Sequence, residues 1–144
     1  MNNHDFCETT WRCCYHLVFV PRNRAIGAYG MVKREAEVIL QRLCRKLDVE
    51  VLLLEGGPNY VHMRLSIPPW RSPLEVVRCL KNVSSNELFQ RYTGLSPMLS
   101  GRIFWTDGCL LDTQTPGKRM IQDYIDKQLQ ADWAAECRCG EDFF

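Results

Sequence analysis

The sequence predicts an α+β domain: an antiparallel sheet of ferredoxin-like (RNA-recognition-motif-like) topology, with helices on one face and an added C-terminal helix. The first observation is the order of segments along the 144 residues, which runs strand, helix, strand, strand, helix, strand, helix. The second is a period-two alternation of apolar residues near the middle of the chain. Because no linker or repeat divides the chain, we expect one domain over residues 1–144.

The first strand and helix follow from an apolar run and then from helical spacing. Residues 11–20 predict a strand whose second half, apolar throughout, is buried on both faces. Pro21 ends the strand, and Gly27 and Gly30 indicate a loop. From residue 32 to 47, apolar residues recur every three or four positions, which predicts a helix packed on the sheet.

A hairpin is predicted next. Residues 49–55 are rich in valine and leucine, and Gly56 and Gly57 would let this strand turn back into an antiparallel partner at residues 58–69. Side chains alternate across a pleated strand, so the partner has an apolar face and a polar face. The polar face carries Tyr60, His62, Arg64 and Ser66.

The second helix has a clear start. Ser72 is the predicted N-cap, Pro73 occupies the first helical position and Glu75 lies in the first turn. The helix is expected to end near residue 92. Its predicted buried residues are Leu74, Val77, Leu80, Leu88 and Phe89, and Arg78, Lys81, Asn82 and Ser85 are expected to be more exposed.

The last third of the chain predicts a loop, a strand and a helix. Residues 93–102 are rich in turn formers, and residues 103–105 and 108–111 indicate a strand interrupted near Asp107. A final helix is expected from about 116 to 135, followed by a tail at 136–144 that is free or clasps a partner.

Composition limits the classes of function. The chain is 46% hydrophobic and 24% charged, and it lacks the apolar run of about 20 residues that spans a bilayer. Its start has neither the basic residues nor the apolar stretch of a secretory signal, so we expect a cytoplasmic protein without membrane contact. The net charge of +1 gives no global attraction to nucleic acid, so any basic surface must be local.

The eight cysteines do not indicate a disulfide framework or a zinc site. Disulfides are rare in a reducing compartment. Neither the adjacent Cys13 and Cys14 nor the pair Cys137 and Cys139 has the spacing of a zinc site. Incidental thiols are therefore the favoured interpretation.

The residues alone leave two interpretations open for Tyr124 and Gln128, and two for His62. Tyr124 and Gln128 lie four positions apart on the final helix, so they share a face and could enter one site. On an ordinary amphipathic helix, however, the tyrosine would pack and the glutamine would be solvated. His62 could bind a metal or could be a hydrogen-bonded core histidine, and His16 is expected to support the first strand.

Several segments in the same order and at similar spacing resemble the small single-tyrosine transposases of the HUH superfamily, of the insertion sequence 200/605 type. The resemblance covers most of the chain. Its matching segments are residues 15–21, 43–44, 61–63, 66–69, 80–81, 84–85, 104–105, 108, 112–113, 124–125 and 128–129.

The resemblance implies a site and a chemistry. In that family two histidines and a glutamine hold a divalent cation, usually magnesium or manganese, beside a nucleophilic tyrosine. His62 matches the second histidine, Gln128 the glutamine and Tyr124 the nucleophile, while Tyr60 occupies the place of the first histidine. The tyrosine would attack a phosphate of single-stranded or hairpin DNA and form a phosphotyrosyl intermediate, which a DNA hydroxyl later resolves.

The sequence departs from this family at the metal site. A neutral phenol at position 60 is a poorer ligand than imidazole, and Asn59 stands where an acidic residue is common. Cys109 and Leu110 replace a frequent aromatic pair. We therefore expect a transposase-like enzyme with a degraded metal site and weak or lost activity. The alternatives are a non-catalytic, domesticated DNA- or RNA-binding regulator on the same scaffold and an inactive relic.

The resemblance also implies partners. The family grips folded DNA, so basic side chains could contact phosphates, although a solvated surface is the competing interpretation. A homodimer is expected, since pairing of two sheets would cover an open strand edge. The candidate DNA-binding residues are Arg22, Arg24, Lys81, Lys118 and Arg119.

Overall fold

One four-stranded antiparallel sheet organises the molecule. The computed structural model describes residues 10–23, 25–92 and 104–141. The strands are β1 (Cys14–Phe19), β2 (Glu50–Gly57), β3 (Tyr60–Ser66) and β4 (Leu110–Asp112). Their order across the sheet is β2-β3-β1-β4, so the first strand in the chain lies inside the sheet. The predicted antiparallel hairpin is confirmed, with Leu54 opposite Met63 and Glu55 opposite His62.

Three helices complete the predicted α+β fold. They are α1 (Ile26–Lys46), α2 (Pro73–Arg91) and α3 (Lys118–Glu141). Side chains of α1 and α2 form the main core with one face of the sheet, to which Leu17, Phe19 and Met63 contribute. The opposite face carries a smaller cluster in which Val18 and Val20 pack against α3. The predicted burial of β1 on both faces is thereby confirmed. Helix α3 covers the sheet face of Val18 and Val20, which also carries His62.

Two helix bounds differ from the prediction. Helix α1 begins at Ile26 rather than near residue 32, and it includes both glycines that indicated a loop. Tyr29 is fully buried against the Phe104 and Trp105 rings, and this packing outweighs the weak helix propensity of glycine. Helix α3 continues to Glu141, so the predicted tail is helical over most of its length.

Helix α2 starts as predicted, but part of its buried face was predicted wrongly. The Ser72 side chain accepts a hydrogen bond from the Glu75 backbone N–H, 3.4 Å away. Leu74 is exposed, whereas Ser85 is buried. The Ser85 hydroxyl accepts the backbone N–H of Phe104, and this partner from a distant segment makes burial of a serine acceptable.

The segment before β4 is not a regular strand. Its Trp105 forms an isolated bridge with Pro21, and the ladder with β1 is limited to β4, where His16 lies opposite Asp112. The predicted loop at 93–102 and the predicted strand residue Ile103 lie outside the described residues. Within the described ranges, no helix combines the length and the apolarity needed to cross a bilayer.

Candidate functional site

The sheet face beneath α3 brings together two of the predicted site residues. Ile121 and Ile125 of α3 pack on Val18 and Val20 of β1. Four partly buried side chains border this cluster, and they are Tyr60, Leu110, Tyr124 and Leu129. Tyr60 and the candidate nucleophile Tyr124 therefore border the same cluster.

Tyr124 is held in a closed environment. Its hydroxyl is buried and has no hydrogen-bond partner among the described residues. Burial, followed by the nearby Cys109 thiol, raises the pKa of Tyr124 well above its usual value near 10. The phenol is thus neutral at physiological pH in this conformation. Deprotonation of its oxygen would require the ring to be uncovered or a base to approach it.

His62 forms a buried pair with His16. Both side chains are 4% exposed, and His16 Nδ1 lies 2.9 Å from His62 Nε2. Burial lowers the pKa of each imidazole, with the neighbouring His62 as the second cause at His16, so both rings are neutral at pH 7. His62 was predicted as a metal ligand, with a hydrogen-bonded core histidine as the alternative, and the metal role stays a prediction. The structure contains a hydrogen bond from His62 to His16, a residue that was expected only to support β1.

Gln128 contacts the turn before β4. Its Oε1 accepts the backbone N–H of Gly108 at 3.0 Å. An added Cβ at Gly108 would come within 2.6–2.9 Å of the Gln128 amide, so glycine permits this close contact. Lys81 fixes the same turn by donating to the carbonyl oxygens of Thr106 and Gly108. The amide thus faces a pocket of about 410 Å³ beside Arg22 and Asp132.

The three predicted metal ligands each contact a different partner. The Tyr60 ring lies over Gly57, His62 turns towards His16, and Gln128 is bonded to Gly108. In the part of the chain that the structure describes, no group of three or more His, Cys, Asp or Glu side chains could hold a metal ion.

A polar clamp, formed by Arg22 and Asn23 after β1 and by Asp132 of α3, holds this helix against the residues that follow β1. The Asp132 carboxylate, 5% exposed, accepts the backbone N–H of Asn23 at 2.9 Å and its side-chain amide at 3.2 Å. The same amide donates to the Leu129 carbonyl oxygen. Arg22 pairs with Asp132 at 3.8 Å and with Asp107 at 3.3 Å. These contacts set the position of α3 and hence of Tyr124.

We expect Asp132→Ala to lower the free energy of unfolding by about 2–3 kcal/mol, because it leaves partly buried donors of Asn23 and Arg22 without their acceptor. Urea unfolding followed by circular dichroism measures this loss. The control is Asp126→Ala, which removes an exposed carboxylate on the same helix and should change stability by less than about 0.5 kcal/mol. Equal effects of the two variants would contradict the clamp.

Some of the predicted DNA-binding side chains form hydrogen bonds within the protein, and others are exposed to solvent. Arg22 and Lys81 donate to partners within the protein, and burial lowers the pKa of Lys81. Lys118 and Arg119 are exposed at the start of α3. Arg119 lines a shallow groove with Tyr124 and Lys127. Arg24 lies outside the described residues.

Sequence reasoning undervalued His16. The period-two signal on β1 is hidden because the strand is buried on both faces, so no polar face stands out. The register between β1 and β3 shows the contact. His16 lies opposite Arg64 and His62 lies opposite Val18, so the two histidines are diagonal neighbours on one face of the sheet. Only the pairing of the strands could have indicated this contact.

Comparison with known proteins connects these features to a family. Residues 9–128 match the family described as "Transposase IS200 like". The transposase for insertion sequence element IS200 of Salmonella typhimurium is 37% identical over 132 residues, covering 92% of this chain and 87% of the relative. The ISDra2 transposase TnpA of Deinococcus radiodurans is 30% identical over 115 residues, covering 79% and 82%.

Solved structures agree with the fold. A protein of Deinococcus radiodurans R1 assigned as a transposase superposes with a TM-score of 0.73 at 25% identity, covering 83% of this chain and 93% of that one. A REP-associated tyrosine transposase bound to a REP hairpin gives a TM-score of 0.51 at 12% identity, covering 82% and 67%. At 12% identity, the similarity to the REP-associated transposase shows a shared fold only.

Proposed function

This chain belongs to the family of IS200-like transposases, and from that premise we propose that it binds single-stranded or hairpin DNA ends and, when active, cleaves and rejoins them through Tyr124. The observation that carries the proposal is the placement of Tyr124 on α3, over the sheet face that bears Tyr60 and the two buried histidines. The hairpin bound by the REP-associated relative in fold makes a folded DNA end a reasonable substrate.

The proposed chemistry is a phosphoryl transfer to tyrosine. The Tyr124 oxygen loses its proton and attacks phosphorus, forming a phosphotyrosyl bond. The bond from phosphorus to one DNA oxygen breaks, and that oxygen takes up a proton and leaves as a hydroxyl. A free DNA hydroxyl then attacks the same phosphorus and restores the tyrosine. Because burial raises the pKa of Tyr124, DNA binding must first expose its hydroxyl to the phosphate.

The ligand set that the resemblance names fits a divalent magnesium or manganese ion poorly. Tyr60 offers a neutral phenol, and the hydrogen bonds of His62 and Gln128 direct their polar atoms to different partners. We therefore describe the site as degraded and assign no step to a cation held by these three residues.

The proposed DNA surface lies along the first turns of α3. Arg119 and Lys127 border a groove of about 480 Å³ that also contains Tyr124, so a phosphate bound between these cations would lie close to the nucleophile. Lys118 extends the same basic edge. Arg22 and Lys81 act instead on the fold of the site, where their donors are already engaged.

A homodimer is part of the proposal. Among the described residues, β2 and β4 are the two edge strands of the sheet, and β2 is the longer with eight residues. Leu52 and Leu53 of β2 are exposed, at 41% and 36%. An exposed, apolar edge strand favours pairing with a second strand, and a symmetric dimer would cover it.

The second candidate is a non-catalytic DNA- or RNA-binding regulator. The buried hydroxyl of Tyr124 and the hydrogen bonds that engage His62 and Gln128 within the protein favour it. Such a protein would bind hairpins in a salt-sensitive manner but would form no covalent adduct.

One assay separates the two candidates. The purified protein is incubated with end-labelled hairpin DNA, with magnesium or manganese, and resolved on a denaturing gel. A labelled band at the mass of protein plus DNA supports the enzyme. Salt-sensitive hairpin binding without that band supports the regulator, and the absence of both would contradict both functions.

Restoring the family's histidine should raise activity. In Tyr60→His, a second imidazole two residues from His62 lies on the same strand face, and we expect about 10-fold more adduct at limiting cation. The yield is read from the labelled band on the denaturing gel.

Tyr60→Phe is the matched control, because it removes only the hydroxyl and should leave the yield near that of the wild type. Efficient cleavage by the wild type, with no gain in Tyr60→His, would contradict a degraded site.

A further inference from the structure

The pocket beside Gln128 takes no part in the proposed phosphoryl transfer. It has a volume of about 410 Å³ and lies between the segment that follows Trp105 and one flank of α3. Ala131 and Ala135 line it from the helix, and because they are four positions apart they share one helix face. Their short side chains leave room that longer ones would fill. The other lining residues are Arg22, Thr106, Asp107, Gly108, Gln128 and Asp132.

Three polar side chains of this pocket have hydrogen-bonding capacity left. Thr106 is only 2% exposed, yet its hydroxyl has no hydrogen-bond partner among the described residues. The Gln128 amide accepts the Gly108 N–H through its oxygen, and within the described chain its NH₂ group has no acceptor. Asp107 is exposed and shares one carboxylate oxygen with Arg22 at 3.3 Å. The pocket therefore offers a ligand donors from Thr106 and Gln128 and an acceptor from Asp107.

The charges around the pocket make a phosphate group a poor occupant. Arg22 donates to the Trp105 carbonyl oxygen at 3.2 Å and pairs with the carboxylates of Asp107 and Asp132. The Lys81 ammonium behind the turn is bonded to two backbone carbonyl oxygens of the same segment. Both cations are thus engaged, and an anion in the pocket would meet two carboxylates. A neutral group with donors as well as acceptors fits these surroundings better.

We propose that this pocket binds one unpaired guanine base of the DNA strand whose phosphate Tyr124 attacks. The inference rests on the proposed function and adds a base that the protein itself reads. Guanine carries two adjacent N–H donors, at N1 and at the N2 amino group, and together they match the carboxylate of Asp107. Its O6 atom accepts hydrogen bonds, for which Gln128 and Thr106 supply donors. No other base of DNA presents two adjacent donor groups to a carboxylate.

The position of the pocket along α3 suits a base close to the attacked phosphate. Gln128 follows Tyr124 by four residues, roughly 6 Å along the helix axis, and Ala131 follows it by seven, roughly 10 Å. One or two nucleotides of an extended strand cover such a length. The flat face of the base would pack on the methyl groups of Ala131 and Ala135, which excludes water from one side of its hydrogen bonds.

The first test uses the wild-type protein and needs no variant. The probes are labelled short thymidine oligonucleotides whose central base is thymine, guanine, adenine, cytosine or hypoxanthine, and fluorescence anisotropy at one salt concentration gives each affinity. We expect the guanine probe to bind at least about fivefold more tightly than any other. Hypoxanthine is the matched probe, because it lacks only the N2 amino group. Equal affinity for guanine and hypoxanthine, preference for another base, or no binding of any probe would each overturn the proposal.

The second test locates the preference within the molecule. Ala131→Leu fills the pocket from an exposed helix position, and Asp107→Asn leaves only one acceptor oxygen for the two guanine donors. Each should reduce the ratio of guanine to adenine affinity to about one. Ala134→Leu is the control, since it makes the same change at an exposed position of α3 outside the pocket lining and should keep the wild-type ratio. An unchanged ratio in both pocket variants, or an equal loss in Ala134→Leu, would contradict the assignment.

Failure of this proposal is distinguishable from failure of the proposed function. A protein that prefers the guanine probe but forms no covalent adduct with hairpin DNA would count against the enzyme alone. A protein that forms the adduct while binding all the probes equally would count against the guanine pocket alone.

Discussion

Tyr124→Phe is expected to abolish the covalent protein–DNA adduct while leaving hairpin binding within about twofold of the wild type. The substitution removes only the oxygen that would attack phosphorus, and the ring retains its packing beside Ile121 and Ile125. Because the hydroxyl has no hydrogen-bond partner among the described residues, its loss leaves no partner unsatisfied. The folded protein should therefore be as stable as the wild type or slightly more so.

The adduct is measured on a denaturing gel with end-labelled hairpin DNA, and binding is measured by a gel-shift titration at fixed salt. Tyr92→Phe is the control, since Tyr92 caps the C-terminus of α2 and packs on the other face of the sheet. It should form the adduct normally. An adduct of equal yield from Tyr124→Phe would show that another residue is the nucleophile.

Trp105→Ala is expected to lower the free energy of unfolding by about 3–5 kcal/mol. Trp105 is fully buried, and its ring makes edge contacts with Phe19 at 4.7 Å and with Phe104 at 4.9 Å between centroids. Its Nε1–H donates to the Ser84 hydroxyl at 2.9 Å. The substitution leaves a cavity where α1, α2 and the sheet meet, and stabilities of small domains are only about 5–15 kcal/mol.

Urea unfolding monitored by far-ultraviolet circular dichroism measures this loss. Trp133→Ala is the matched control, because Trp133 is 59% exposed on α3 and its removal should change stability by less than about 0.5 kcal/mol. Since Trp105 precedes the turn that holds Gln128, its loss should also weaken hairpin binding. A Trp105→Ala protein as stable as Trp133→Ala would contradict the assignment of Trp105 to the core.

Local sequence patterns predicted the structure correctly where interactions between residues close in the chain determine it. The alternation of β3 predicted its buried face correctly, with Val61, Met63 and Leu65 all 1% exposed or less. The cap at Ser72 predicted the start of α2, because its signal depends on neighbours three residues away. Where packing with distant segments dominates, as at Tyr29 in α1 or Ser85 in α2, the local pattern was misleading.

The candidate site was predicted in its parts but not in its arrangement. Helical spacing indicated that Tyr124 and Gln128 could share a site, and the family resemblance implied that His62 joins them. The structure places Tyr124 over the Val18 and Val20 cluster, His62 beside His16, and Gln128 at the Gly108 turn. The role of Lys81 could not be predicted from its neighbours in the sequence either, because the carbonyl groups that it contacts lie 25 and 27 positions away in the chain.

The sequence by itself determined the fold class, the order of its elements and the family, because strand alternation, helix spacing and ordered motifs are properties of neighbouring residues. Only the tertiary structure decided which side chains meet across the sheet. The pairing of β1 with β3 makes His16 a neighbour of His62, although 46 positions separate them. A contact between strands depends on register and on which face each residue takes, and neither is encoded within a single segment.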